Sequence, residues 1–315
     1  MEHPNMERPD MEHCKILTWT VTSEQESDRI DKTLADCIGD YSRSYLQKLI
    51  KDQCVLVNGS VVKPSYLVKE ADVLTIYLPN SIELNIQPQD LHLDVLYEDD
   101  SVIIINKPKD MVVHPSAGHF TGTLVNGILY HCNGQLSGIN GVLRPGIVHR
   151  IDKDTTGSIV ICKTDEAHQS LSDQLKVHSM TRVYHAIVMG HLKEEEGTIH
   201  AAIARDPRNR LRMAINPLGK EAITHYKVIQ YLKNATYIEC RLETGRTHQI
   251  RVHMSSIHHP LLGDELYGGT NMKFSLKGQT LHAKTLGFIH PVTKEYLEVD
   301  APLPDYFTKI INQLS

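Results

Sequence analysis

Residues 144–163 read RPGIVHRIDKDTTGSIVICK, and the middle of this stretch gathers His149, Arg150, Asp152, Lys153, Asp154, Thr155 and Thr156. The β-branched residues on either side, Ile147 and Val148 before it and residues 158–162 after it, predict strand, loop, strand. Asp152 follows Ile151 directly, so it falls near the end of a strand with buried character, where an ionised carboxylate requires a partner. Arg150 and Lys153 flank it, and an adjacent cation keeps a carboxylate deprotonated at neutral pH. Such a group is suited to act as a nucleophile or a base. A hairpin end whose charges serve only solubility is the bland alternative.

HRIDKDTTG resembles the catalytic loop, HRLDKDTSG, of the RluA/RluD-type family of pseudouridine synthases, and the resemblance extends from about residue 28 to 304. INKPKDMVVHP is similar to the family's INKPxGxxVHP, with Asp110 where glycine is common. LETGRTHQIRVH resembles a highly specific family motif, while HPLLGDELYGG and LHAKTLGFIHP resemble segments that we assign to scaffold. The resemblance implies an α+β chain with the pseudouridine synthase fold, a mixed and largely antiparallel sheet with flanking helices and a central cleft. It also implies roles: Asp152 as the catalytic group, Arg246 paired with it, Tyr184 stacked on the target base, and Arg150 filling the space left by a flipped uridine. The implied partner is RNA, in particular large-subunit ribosomal RNA or its assembly intermediate.

The elements that must position these groups follow from pattern. Residues 1–14 carry charge and proline without an apolar core and suggest a flexible arm. Ile30, Leu34 and Ile38 mark one helix face, Ser42 is a fair N-cap for a second helix bearing Leu46, Leu49 and Ile50, and Asn58-Gly59 between apolar triplets signals a two-residue hairpin. Residues 28–59 resemble an S-four-like RNA-binding domain, which implies that Arg43, Ser44, Lys48 and Lys51 lie on its RNA-facing helix. We expect this small α+β domain over residues 15–80, a linker over 81–94 and the catalytic domain over 95–315. Residues 102–105, all β-branched, predict a strand buried on both faces. Further strands are expected over residues 181–189, 224–231 and 237–242, with helices over 165–177 and 246–257. The segment RDPRNRLR places Arg208, Arg210 and Arg212 in a loop with no structural need for them, which suits phosphate contact.

Thirty-three basic against 38 acidic side chains give a net charge of -5, so the cations matter by where they cluster and not by their sum. Six cysteines without a CxxC pair indicate neither a disulfide framework nor a metal site. His248, His253, His258 and His259 lack an HExxH pattern or acidic companion, and no phosphate-cradling or dinucleotide fingerprint is present. Neither metal nor cofactor is therefore expected. Without a secretory signal or an apolar run of membrane length, the expected setting is a cytoplasmic monomer. Two alternatives stay open at this point: a non-catalytic RNA-binding or assembly factor using the same cations, and a metal-dependent sugar transferase reading Asp152 and Asp154 as a DxD-like pair.

Overall fold

The computed structural model describes residues 14–38, 43–79, 86–115, 120–139, 145–268 and 276–315, and its chain divides into two units, residues 1–85 and 86–315. The first contains β1 (Cys14–Thr20), α1 (Ile30–Cys37), α2 (Arg43–Lys51), β2 (Val55–Val57), β3 (Ser60–Val61) and β4 (Val73–Pro79), with the strands ordered β1-β4-β2-β3. Asn58 and Gly59 have φ of 49° and 77°, the left-handed pair that a tight hairpin turn demands. The Asn58 side chain extends the turn by accepting from the Val73 amide and donating to Asp72. Ile30, Leu34, Leu46, Leu49 and Ile50 from the two helices close over Val55, Val57, Leu74 and Ile76 of the sheet.

The second unit is built on one large sheet. In chain order come β5 (Val95–Glu98), β6 (Val102–Lys107), α3 (Leu124–His131), β7 (Thr156–Cys162), α4 (Asp165–Lys176), β8 (Thr181–Met189) and β9 (Glu196–His200). The short pair β10 (Ile203–Arg205) and β11 (Met213–Ile215) follows, then β12 (Ile223–Leu232), β13 (Ala235–Leu242), α5 (Gln249–Ser256), β14 (Leu281–Ile289), β15 (Tyr296–Asp300) and α6 (Asp305–Leu314). The sheet runs β5-β6-β7-β14-β8-β13-β12-β9, with β15 also on β14, and every pairing is antiparallel except β7 with β14.

The double burial expected of β6 is present, because period-two alternation sends its side chains into two cores. Ile103 and Ile105 pack with Ile159 and Ile161 beneath α3, while Val102 and Ile104 pack with Val160 and Cys162 beneath α4. The stretch expected as linker is, from Ile86 on, docked on α3. Ile86 enters that core, and Asn126 of α3 donates to the Gln87 carbonyl.

One expectation fails at the central loop. Residues 147 and 148 form no strand: Ile147 makes a single bridge to Ile161, and residues 148–155 are irregular. The loop's own groups take the free edge of β7. The Gly146 carbonyl accepts from the Cys162 amide, and the His149 ring, through Nε2, accepts from the Val160 amide. Asp152 therefore lies in an irregular turn instead of at a strand end. That turn ends at Gly157, where φ is 104° and a Cβ would fall 2.3 Å from the Ala283 carbonyl oxygen of β14. No side chain fits there, so glycine permits the parallel contact that brings the two strands together. Strands β9 and β15 were not anticipated; their mostly exposed and half-buried residues carry little hydrophobic signal.

Burial sets how stability depends on pH. Desolvation, aided by nearby cations, pushes His149, His185 and His282 down to about 4. An unfolded chain protonates these rings below about 6.5, whereas the folded protein leaves them neutral until about 4. Unfolding therefore takes up protons between those values, and stability should fall as pH drops from about 6.5 towards 4. Urea midpoints at pH 7 and pH 5 test this; equal midpoints would contradict it.

Candidate active site

Lys107 fixes the floor of the site. It ends β6, is fully buried, and its Nζ donates to the carbonyls of Pro108, Met111 and Lys153 at 2.8, 2.8 and 2.9 Å. Burial pulls it down to about 7, while Asp154, Asp152 and Asp110 pull it back up. Three carbonyls match the three protons of an ammonium, whereas a neutral amine would leave one of them facing a lone pair. The side chain thus ties the turn after β6 to the loop that carries Asp152. Asp110, in that turn, has φ of 68°, the conformation glycine adopts freely and aspartate tolerates. Its carboxylate meets Lys153 at 2.9 Å, an exposed pair of small energetic weight.

Asp152 has a side chain 18% exposed, and its Oδ2 accepts from Arg251 Nη1 at 2.9 Å. Arg251, one turn into α5 and 8% exposed, also grips Asp264 through Nε and Nη2 at 2.7 and 2.9 Å. Burial opposes its charge, but the hydrogen bonds and charge of Asp264, and then those of Asp152, outweigh it and raise its pKa. Asp264 is itself held by the amides of Leu266 and Tyr267. The guanidinium is in this way aimed from behind and presents one remaining edge to Asp152.

His248 precedes α5 with φ of 57°, a left-handed conformation for a non-glycine residue. Its Nδ1 lies 2.9 Å from the Tyr267 hydroxyl, which also accepts from the Met213 amide at 2.8 Å. All groups are satisfied when the hydroxyl donates to Nδ1, leaving a proton on Nε2, which lies 3.8 Å from Asp152 Oδ2. Burial, set against the pull of Asp152, keeps this ring below its ordinary pKa and hence neutral.

The cleft brings Asp152, Arg150, Tyr184 and Arg246 together around one small cavity of about 50 Å³, flanked by two larger ones of about 370 Å³ each. Tyr184 reaches it from β8, where it sits opposite Cys240 of β13 and Ala283 of β14. The expected pairing of Arg246 with Asp152 is not formed. Arg246 turns its Nε to the Glu221 carbonyl at 2.8 Å, and the partner of Asp152 is Arg251. The reason is position. Arg246 lies in the turn before α5, whereas Arg251 lies inside the helix, where Asp264 can hold it.

Asp154 lies against Gly278, and with Asp152 it lines one of the two larger cavities. Among the described residues no three His, Cys, Asp or Glu side chains gather as a metal site. Arg208 and Arg210 are exposed on the connection between β10 and β11. The Arg212 guanidinium lies 5.1 Å from the Tyr267 ring centroid, the same distance as Arg251. Lys51 is exposed at the end of α2, while the side chains of Arg43, Ser44 and Lys48 lie outside the described residues. Lys107, His248, Arg251, Asp264 and Tyr267 are the residues sequence reasoning assigned no site role. The second arginine of RTHQIR was a signal available for one of them.

A large mixed sheet with a polar loop held against its middle strands and helices packed on it makes this an α+β chain with a cleft at the loop. A family model described as RNA pseudouridylate synthase matches residues 101–256, and an S4 domain model matches residues 28–74. An uncharacterized RNA pseudouridine synthase of Bacillus subtilis, YlyB, is 49% identical over 295 residues, covering 94% of this chain and 97% of its own. The ribosomal large subunit pseudouridine synthase D of Escherichia coli K12 is 43% identical over 310 residues, covering 94% and 93%. Among solved structures, human RNA pseudouridylate synthase domain containing 1 superposes with a TM-score of 0.56 at 26% identity, covering 67% of this chain and 84% of that one. The chain belongs to the RluA/RluD-type family of RNA pseudouridine synthases.

Two substitutions test the roles drawn from this geometry. Arg251→Gln leaves Asp264 buried without its counter-charge and should cost about 3–5 kcal/mol of stability together with most of the pseudouridylation rate, whereas Arg246→Gln should leave stability within about 1 kcal/mol. Denaturant titration and single-turnover kinetics of both variants compare them, and equal destabilisation would remove Arg251 from its central place. Lys107→Met removes the donor shared by three part-buried carbonyls and should lower stability by about 1–3 kcal/mol. A thermal midpoint unchanged from wild type would mean that the clamp holds nothing.

Proposed function

We propose that Asp152 is the catalytic carboxylate of an RNA pseudouridine synthase acting on uridines of large-subunit ribosomal RNA in the cytoplasm. The observation that carries this reading is the 2.9 Å bond from Arg251 to Asp152 within a cleft that also holds Tyr184 and Arg150. A carboxylate so held is aimed. The reaction breaks the bond between C1′ and N1 of a uridine, turns the uracil and joins C5 to C1′. N1 gains a proton and C5 loses one, so composition is unchanged. Asp152 can serve as nucleophile on sugar or base, or as the base that removes a sugar proton.

A stacked or paired uridine must first be turned out of the RNA, at a cost of a few kcal/mol that is least in a loop. Tyr184 is proposed to stack on the extruded base, and Arg150, exposed at the cleft, to fill the space it vacates. The neutral Nε2–H of His248 adds a donor beside the carboxylate. The N-terminal S4 domain, with Arg43, Ser44, Lys48 and Lys51, and the cations Arg208, Arg210 and Arg212 would supply phosphate contacts that offset the cost of flipping. The ribosomal substrate is suggested by relatives named ribosomal large subunit pseudouridine synthase D. The reading is of a monomer; among the described residues no helix is long and apolar enough to cross a membrane.

Asp152→Asn should lower conversion by about 10⁴-fold or more while leaving RNA binding intact. Mapping pseudouridine in large-subunit ribosomal RNA from cells with the gene, without it, and with the Asn variant identifies the uridines. Full modification by the variant would refute the assignment of Asp152, and unchanged ribosomal RNA on deletion would refute the substrate.

A further inference from the structure

One of the two larger cavities is lined by Asp152 together with Arg150, Arg182, Tyr184, Gly245 and Arg246. It holds three guanidiniums, and among the described residues none of the three has a carboxylate within ion-pair distance. Arg182 is the most unusual of them. It is 7% exposed, its Nη2 donates to the backbone carbonyl of Glu243 at 2.8 Å, and its Nε is buried without a hydrogen-bond partner. Burial and then the nearby Arg246 act against its charge, while Tyr184 favours it.

Two acidic residues whose backbone carbonyls this pair touches send their carboxylates elsewhere. Glu243 gives Arg182 only its carbonyl and sends its carboxylate to His225 at 2.6 Å. Glu221 likewise gives Arg246 its carbonyl and sends its carboxylate to His200 at 3.1 Å. Gly245 completes the arrangement, since a Cβ there would lie 2.6 Å from Arg182 Nη1. The missing side chain leaves room for the guanidinium against the backbone. A buried cation without counter-charge costs the free protein several kcal/mol, an arrangement that favours an incoming anion.

Tyr184 and Asp152 border the same space, so an anion held there sits beside the reacting nucleotide, and RNA carries one anion next to every nucleotide. We infer that Arg182 and Arg246, with room made by Gly245, form a binding site for a phosphodiester flanking the uridine being isomerised. This rests on the reading of Asp152 as the catalytic group. It also accounts for Arg246 turning away from Asp152.

The test uses the full-length protein and an RNA hairpin containing a uridine that it converts, with a neutral methylphosphonate replacing in turn the phosphate on the 5′ and on the 3′ side of that uridine. At one of the two positions the wild-type single-turnover rate constant should fall by about 10- to 100-fold, the worth of one or two hydrogen bonds to a charged group. Arg182→Gln should already be slowed by a similar factor on all-phosphate RNA and lose little more from the neutral linkage. Its thermal midpoint should not fall, because an uncompensated buried charge has been removed. Gly245→Ala, which displaces the guanidinium without deleting it, should behave in the same way. A wild-type rate indifferent to both neutral linkages, as expected if the site served a free anion, would overturn the inference. So would an equal penalty in wild type and Arg182→Gln. Either result leaves Asp152 untouched, and activity in Asp152→Asn is the separate observation that would sink the catalytic reading.

Discussion

A single buried guanidinium shared by two carboxylates governs the arrangement of the cleft. Arg251 has Asp264 behind it and Asp152 in front, and neither contact could be removed without leaving charge stranded in a poorly solvated place. Asp264 holds the arginine from behind; Asp152, partly exposed, borders the cleft. Other features of the site serve the same end. Lys107 pins the backbone of the loop bearing Asp152, Gly157 lets that loop end against β14, and the Tyr267 hydroxyl orients His248 towards the same carboxylate.

The fold was legible where side-chain periodicity is strong. The β-branched run at 102–105, the Asn58-Gly59 turn and the helix opening at Asp165 each follow from local physics and appear where expected. Strands β9 and β15 escaped because neither has a clear apolar face. Residues 147 and 148 look like a strand, yet Gly146 and the ring of His149 take the edge positions a strand would use. A side chain acting as a backbone acceptor leaves no periodic trace.

The site was legible from the charged loop around Asp152 and from the resemblance of its motifs, and illegible as a set of pairings. Asp152, Arg150, Tyr184 and Arg246 converge on one cavity. Which arginine meets the aspartate, however, depends on the left-handed turn at His248 that separates Arg246 from Arg251 of α5, and on Asp264, which follows Gly263, holding Arg251. Lys107 reads as a surface cation at the end of a strand; only the folded chain reveals three carbonyls converging on it. Arg182, inside a strand of alternating pattern, carries no signal of being buried without a counter-charge.

The separation in sequence between Asp152 and its clamp, 99 residues to Arg251, bears on how the enzyme is made. A ribosome translating this protein releases the loop carrying Asp152 well before the helix and the turn that hold it, and before β14, on which Gly157 closes. Until those later residues have emerged and threaded into the sheet between β7 and β8, the carboxylate belongs to an unfinished surface with neither aim nor pocket. The pairing of Asp152 with Arg251 therefore forms late in synthesis, with closure of the sheet, and a product truncated before Arg251 would carry the entire HRIDKDTTG loop without it.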